Sequence, residues 1–99
     1  MLISKEAKGS ELTVSLDGRL DTSTAPQLEA EFNSSLNGVE SLVIDMAKLV
    51  YISSAGLRVL LKAQKLMNKQ GKMLIKNVSQ DIKDIFEVTG FDEILNIGN

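Results

Sequence analysis

Apolar and polar residues alternate near the beginning of the chain. Between Leu12 and Leu16 every second residue is apolar, and the residues between them are polar. This period of two predicts a half-buried β-strand. An earlier strand from Leu2 to Ala7 is expected to pair with it through a turn at Gly9-Ser10. The segment from Asp17 to Asp21 is predicted to be irregular.

A first helix is predicted to follow this segment. Thr24 and Gln27 fit a capping box, and Pro26 lies in the first turn, where a backbone N–H would be unpaired in any case. The helix is expected to end at Asn37-Gly38. Its apolar stripe consists of Leu28, Phe32 and Leu36.

The middle of the chain predicts a strand and then a long helix. Leu42–Ile44 is a short continuous apolar run, which is typical of a central strand covered on both faces. Ser53 and Ser54 precede a helical pattern from about Ala55 to Gln70, and Gly71 closes it.

The long helix has an apolar side and a basic side. A helical wheel places these residues on the apolar face: Val59, Leu60, Ala63, Leu66 and Met67. Leu57 and Leu61 fall at the edge of that face. The opposite side carries the cations Arg58, Lys62, Lys65 and Lys69. Because helix surfaces carry such charges routinely, we interpret the lysines as solvated, with contact to an acidic partner as the alternative. Arg58 is the exception, because it lies in the first turn next to Ser54, where a cation opposes the preference of the helix dipole.

The last third of the chain predicts one more strand, Met73–Ile75, and a third helix. Ser79 is expected to cap this helix and Thr89-Gly90 to end it, with Ile82, Ile85 and Phe86 on one face. The tail from Phe91 to Ile97 predicts a last turn and an edge strand.

The order of these elements predicts the fold class. Strand, strand, helix, strand, helix, strand, helix implies a mixed sheet with right-handed crossovers and helices packed on it. We therefore expect an α/β fold with a mixed β-sheet of about four to five strands. One domain is expected to cover residues 1–99.

The composition narrows the possible functions. The chain has 99 residues, of which 43% are hydrophobic and 24% charged, and its formal net charge is −2. This size allows one core, and the balanced charge predicts neither direct nucleic-acid binding nor an anionic-membrane anchor. Cysteine is absent, which excludes disulfides, thiolate metal sites and cysteine nucleophiles. Histidine is absent too, which excludes most hydrolase triads.

Membrane and export signals are not expected either. No segment approaches the roughly 18–20 consecutive apolar residues that a membrane-spanning helix needs. Residues 1–6 lack a basic region followed by an apolar stretch. We expect a cytoplasmic protein without a metal or a cofactor.

Two enzyme motifs are incomplete. Ser54-Ala55-Gly56 resembles the second half of a nucleophile elbow, but Ile52 replaces the first glycine and no histidine could activate the hydroxyl. Gly71-Lys72 lacks the preceding glycine-rich spacing of a phosphate-binding loop. We therefore expect a protein that is not an enzyme.

The two serines before the long helix are the candidate control point. A helix N-terminus has unpaired N–H groups and about half a positive charge, so the fold would tolerate a phosphate on Ser54. The phosphate would add about −1.5 to −2 charge and repel a partner packed there. The alternative is that one serine simply caps the helix.

Two segments resemble the signatures of STAS domains: Gly18-Arg19-Leu20-Asp21, and Ser53 to Leu57 at the start of the long helix. More specifically, the chain resembles stand-alone bacterial anti-sigma-factor antagonists. The resemblance covers nearly the whole chain, including the spacing of both signatures and the terminal Thr89-Gly90-Phe91 segment.

The resemblance implies particular site residues. The family pattern is usually Asp-Ser-Ser/Thr-Gly with the first serine as phosphoacceptor, and alignment through the glycine makes that residue Ser54. Ser53 stands where the aspartate is expected, which makes it a rival acceptor, and Ala55 replaces a common hydroxyl residue. The implied partner-binding residues are Asp21, Thr22, Ser53, Gly56, Leu57 and Arg58. Asp21 has the alternative role of a turn residue.

The resemblance also implies a function. An anti-sigma factor that is itself a serine kinase would bind the unmodified chain and release its sigma factor, and phosphorylation would break this complex. A serine phosphatase would restore the binding form, and the kinase, not this chain, would hold the ATP. One alternative is a STAS-like ligand-sensing or scaffolding module that is not phosphorylated. Another is a phosphoaspartate switch in which Asp21 and Asp45 hold Mg²⁺, although Asp45 also fits a solvated strand end.

Overall fold

A computed structural model describes residues 1–98, and Asn99, the last residue of the predicted 1–99 domain, lies outside them. The strands are β1 (Leu2–Lys8), β2 (Glu11–Leu20), β3 (Ser41–Ile52) and β4 (Lys72–Lys76). The helices are α1 (Ala25–Ser35), α2 (Ser54–Gln70) and α3 (Gln80–Thr89), followed by a 3₁₀ turn at Phe91–Glu93.

The strands form one mixed sheet in the order β1-β2-β3-β4. β1 and β2 are antiparallel and are joined by a tight turn in which Gly9 has φ +61°. β2, β3 and β4 are parallel, and α1 and α2 form the two crossovers. The predicted α/β fold and its order of elements are confirmed.

One face of the sheet carries the core. The buried strand residues follow the period of two and lie side by side across the sheet: Leu12, Val14, Leu16, Leu42, Ile44, Met46, Met73 and Ile75. The positions between them are half-buried, including Val43 and Asp45 of the central strand. The prediction that Leu42–Ile44 is fully covered on both faces is therefore wrong, because a short apolar run also results when a half-buried valine lies between two core residues.

β2 and β3 extend well beyond their outer neighbours, and this extension positions the candidate site. The predicted irregular segment 17–21 is instead mostly strand, since β2 continues to Leu20 with register shifts between Ser15 and Asp17 and between Gly18 and Arg19. Gly18 has φ +113°, which a side chain would disfavour. Leu20, the last residue of β2, lies beside Ile52, the last residue of β3.

The start of α1 differs from the prediction. No side-chain capping bond forms, so the Thr24–Gln27 capping box is wrong. The Thr24 hydroxyl instead accepts the Asp21 backbone N–H at 2.8 Å and donates to the Arg19 carbonyl oxygen at 2.8 Å. Thr24 therefore ties the turn before α1 to the end of β2.

α2 is rotated relative to the helical wheel. Leu57 is 4% exposed and Gln64 7%, whereas Leu66 is 42% exposed. The apolar face is thus centred on the line of Leu57, Leu60 and Met67, and the assignment of Leu66 to the buried face is wrong.

The C-terminal part largely follows the prediction. The Ser79 hydroxyl caps α3 by accepting the Ile82 N–H at 3.4 Å, and Gly90, with φ +79°, ends the helix. The predicted edge strand of the tail is reduced to an isolated bridge between Ile97 and Ile75.

Candidate functional site

Ser53 is the N-cap of α2. Its hydroxyl oxygen accepts the Gly56 N–H at 3.4 Å, and its carbonyl oxygen accepts the Leu57 N–H at 2.9 Å. Its own N–H donates to the Leu20 carbonyl oxygen at 2.9 Å, which joins the helix start to the end of β2. Ser53 therefore performs the capping role that the sequence left open between the two serines.

Ser54 is the first residue of α2 and is exposed. Its hydroxyl has no hydrogen-bond partner within residues 1–98. The first-turn N–H groups of a helix are the positive end of its dipole, so Ser54 presents a free hydroxyl beside a local positive potential. The arrangement leaves this oxygen accessible to a modifying enzyme.

Gly56 allows α2 to begin directly against the strand ends. A Cβ at this position would lie 2.7 Å from Leu20 Cγ and 3.0 Å from Ile52 Cγ1. Gly56 and Leu57 are both buried, so neither presents a side chain at the surface, and their predicted contact with a partner stays a prediction. Their role is to hold the helix start in place, because the helix turns Leu57 inward.

Asp21 forms a tight turn after β2. Its Oδ1 accepts the Ser23 hydroxyl at 2.8 Å, the Ser23 N–H at 3.0 Å and the Thr24 N–H at 3.1 Å. These bonds, that of the Ser23 hydroxyl above all, lower the pKa of Asp21 against the opposing effect of lost hydration. The geometry thus matches the turn-residue alternative, while Thr22 stands exposed next to it.

A cation-π pair of Arg19 and Tyr51, which the sequence did not predict, lies at the same end of the sheet. The Arg19 guanidinium stacks 4.3 Å from the centre of the Tyr51 ring, and Arg19 Nε lies 3.8 Å from Asp21 Oδ2. Tyr51 is 37% exposed and its neighbour Val50 66%. The signal that could have revealed Val50 and Tyr51 is an apolar-aromatic pair separated from the serines by Ile52 alone, near the end of a strand.

Arg58 and Thr22 line one shallow groove beside Ser54. The groove, about 320 Å³ in volume, lies between the start of α1 and the first turns of α2, and Pro26 and Ala55 also line it. Arg58 is exposed and lies one turn after Ser54. The structure therefore groups Asp21, Thr22, Ser53, Ser54 and Arg58 around the N-terminus of α2.

Asp45 lies elsewhere on the sheet. Its Oδ1 accepts the Ala47 N–H and the Asn77 side-chain amide, each at 3.0 Å. Burial would raise the pKa of Asp45, but these bonds and the Lys76 charge lower it on balance.

A metal ion shared by the two aspartates is geometrically excluded. Asp45 pairs in register with Ser15, and Asp21 lies six residues further along that strand. At about 3.3 Å per residue the separation is about 20 Å, whereas ligands of one Mg²⁺ lie about 2 Å from it. The phosphoaspartate alternative that requires this ion is therefore wrong.

Comparison with known proteins gives a consistent picture. The model of the STAS domain family matches residues 3–99. A Bordetella bronchiseptica protein provisionally named anti-sigma factor antagonist BtrV is 38% identical over 90 residues, covering 89% of this chain and 78% of that protein. The anti-sigma-B factor antagonist of Staphylococcus aureus is 29% identical over 86 residues, covering 85% of this chain and 80% of that protein.

Solved structures share the fold. The anti-sigma factor antagonist SpoIIAA in its unphosphorylated form has a TM-score of 0.78 at 17% identity, over 99% of this chain and 88% of that chain. The Bacillus protein SpoIIAA in its phosphorylated form has a TM-score of 0.76, over 99% of this chain and 92% of that chain.

The chain belongs to the STAS domain family. The Bordetella and Staphylococcus relatives are named as anti-sigma factor antagonists, which confirms the resemblance inferred from the two signatures. Among residues 1–98, none of the helices combines the length and apolar character that crossing a membrane requires.

Proposed function

We propose that this protein is an anti-sigma-factor antagonist that acts by partner switching. In its unmodified form it binds an anti-sigma factor that is also a serine kinase, and phosphorylation of Ser54 ends the complex. A serine phosphatase then regenerates the binding form. The observation that carries the proposal is the exposed, unpartnered hydroxyl of Ser54 at the start of α2.

The relatives support the partner and the modification. The Bordetella and Staphylococcus proteins are named as antagonists of anti-sigma factors. SpoIIAA, which shares the fold, is described in both unphosphorylated and phosphorylated forms. An anti-sigma factor is therefore the proposed partner, and the bacterial cytoplasm, where ATP and sigma factors act, is the proposed location.

The capping geometry favours Ser54 over Ser53 as the acceptor. Ser53 is half-buried, and its hydroxyl oxygen already accepts the Gly56 N–H. The capping role of Ser53 also explains why serine can replace the aspartate of the family pattern, because serine and aspartate are both strong N-caps. With serine at this position, the helix keeps its cap and Ser54 loses a negatively charged neighbour.

Electrostatics explain how one phosphate could switch binding without unfolding the domain. A phosphate on Ser54 would lie at the positive end of α2 with the Arg58 cation one turn away, and such placement is worth about 0.3–1 kcal/mol. A partner seated over Thr22, Ser54 and Arg58 would meet about two new negative charges. Binding is therefore weakened while the core is unchanged.

The test is to mix the full chain with candidate anti-sigma kinases from the same genome and ATP, and to map the phosphate by peptide mass spectrometry. We expect phosphate on Ser54, its loss in Ser54→Ala, and its retention in Ser53→Ala. The bond should survive hydroxylamine, which cleaves acyl phosphates but not phosphoserine.

Two results would contradict the proposal. Full phosphate uptake by Ser54→Ala would move the site to Ser53 or another residue. Stable kinase binding with no phosphate incorporated at any residue would favour a scaffolding module that is not phosphorylated.

A further inference from the structure

α2 displays an exposed leucine surrounded by cations. Leu66 is 42% exposed and shares one helix stripe with Lys62, Lys65 and Lys69, all of which are exposed. Its exposure contrasts with the burial of the polar Gln64 on the same helix. The rotation of α2 therefore presents apolar surface outward.

This stripe borders a groove between α1 and α2. The groove has a volume of about 390 Å³, and its floor is formed by Phe32, Leu36, Val59 and Ala63. It runs along α2 from Val59 to Lys69, which is about 15 Å at about 1.5 Å per residue. That length corresponds to about three turns of a second helix.

The groove carries a positive charge on an otherwise acidic protein. Three lysines line it against one carboxylate, Glu29, and the chain has a formal net charge of −2. Lys62 Nζ lies 3.5 Å from Glu29 Oε2. Lys65 and Lys69 make no ion pair within residues 1–98. Their charges remain available to a partner.

We infer that this groove docks an acidic amphipathic helix of about three turns from a partner protein. Apolar side chains of that helix cover Leu66 and the groove floor, and its carboxylates pair with Lys65 and Lys69. A purely apolar ligand would leave both lysines unpaired, and a purely charged one would leave Leu66 exposed. The exposed Leu66 and the two unpaired lysines together favour an occupant that is both amphipathic and acidic.

The groove adjoins the shallow groove beside Ser54, with which it shares Glu29, Val59 and Lys62, but its two unpaired lysines lie further along α2. Lys65 lies eleven residues after Ser54, which is about 16 Å along the helix axis. Docking through Lys65, Leu66 and Lys69 is therefore compatible with either phosphorylation state of Ser54.

The probe is a fluorescein-labelled helical peptide of about twelve residues, long enough for about three turns, with leucines on one face and glutamates on the other. The control peptide has lysine at every glutamate position. We expect the acidic peptide to bind the full chain at least ten-fold more tightly by fluorescence anisotropy. Amide chemical-shift changes should cluster between Val59 and Lys69.

Matched variants locate the binding site. Lys65→Glu combined with Lys69→Glu should weaken binding at least ten-fold, and Leu66→Ser should weaken it several-fold. Lys8→Glu combined with Lys72→Glu makes the same charge change at exposed lysines outside the groove and should leave the affinity within two-fold. Ser54→Asp should also leave it within two-fold, which separates this inference from the proposed function. Circular dichroism checks that every variant is folded.

Four outcomes would overturn the inference. Equal binding of the acidic and basic peptides, or shift changes outside the groove, would exclude an acidic helix as its occupant. If sedimentation shows that the chain self-associates and that the Lys65/Lys69 variant does not, the occupant is a second copy of the chain instead. Its α3 would supply the contact, because α3 exposes Val88 beside Asp84 and Glu87. Preferential binding of anionic phosphatidylglycerol vesicles would identify a lipid surface.

Discussion

At the scale of residues, two adjacent serines with the same side chain have different environments. Ser53 accepts the Gly56 N–H and is half-buried, whereas Ser54 is exposed without a partner. The resemblance predicted Ser54 as the acceptor with Ser53 as its rival, and the alternative was that one of the two serines simply caps α2. The sequence could not assign the roles from geometry, because a shift of one residue in the helix start exchanges them.

The two serines should differ in their effect on stability. Ser53→Ala removes the cap and is expected to lower the free energy of unfolding by about 1 kcal/mol. Ser54→Ala removes a hydroxyl without a partner and should change it by less than about 0.5 kcal/mol. Urea unfolding followed by circular dichroism measures both. Equal losses in the two variants would contradict the assignment of the cap.

Asp21 should make stability depend on pH in the acidic range. Its folded-state pKa is lowered from 3.8, so its contribution is present above that value and is lost as the pH falls through the lowered folded value. Asp21→Asn, which does not titrate, should therefore show a smaller loss of stability in acid. Urea midpoints measured between about pH 5 and pH 2.5 test this. Asp45→Asn is the control, because Asp45 is the second carboxyl whose pKa is lowered. Parallel curves for Asp21→Asn and the unaltered chain would contradict it.

At the scale of elements, the helices and strands and several of their ends were predicted, but the extent of β2 and the rotation of α2 were not. The periodic pattern located α2, but Leu66 faces outward while Gln64 is buried. A wheel weights residues by hydrophobicity alone, whereas the actual rotation must also accommodate the tight packing of Gly56 against Leu20 and Ile52. Likewise, Gly18 and Asp17 suggested a break, but β2 passes through them with shifted register.

The close approach at Gly56 predicts the effect of a methyl group. A Cβ would lie 2.7 Å from Leu20 Cγ, so Gly56→Ala should destabilise the domain by about 1–3 kcal/mol through overpacking. The gain in helix propensity, at most about 1 kcal/mol, offsets only part of this. Thermal unfolding compared with Ser54→Ala, which adds no atoms to the core, measures the effect. An increase in stability would show that α2 does not depend on this contact.

At the scale of the whole molecule, the sheet topology followed from the order of elements, and the site follows from the topology. The parallel pair β2 and β3 ends with Leu20 beside Ile52, which brings Asp21 and the start of α2 together. The sequence did not predict this pairing, and only the resemblance carried by the two separated signatures implied that Asp21 lies near the start of α2. The stacked Arg19 and Tyr51 and the groove beside Leu66 were not predicted, because they depend on which side chains the tertiary packing leaves exposed.

The folded domain should tolerate phosphate on Ser54. Because the group lies at the exposed positive end of α2, phosphorylated and unmodified chains are expected to differ by less than about 1 kcal/mol in unfolding free energy. Any gain from the helix dipole should shrink as salt is added, since exposed charges are screened. Denaturation of both forms at low and high salt measures this. Loss of the folded state on phosphorylation would contradict a switch that acts on the interface.

The central claim is tested most directly by the affinity of the kinase partner for the two forms. Protein with phosphoserine incorporated at position 54 and unmodified protein would each be titrated calorimetrically into the anti-sigma factor encoded in the same genome. We predict binding at least ten-fold weaker for the phosphorylated form, with both forms equally folded by circular dichroism. Equal affinity of the two forms would contradict the account.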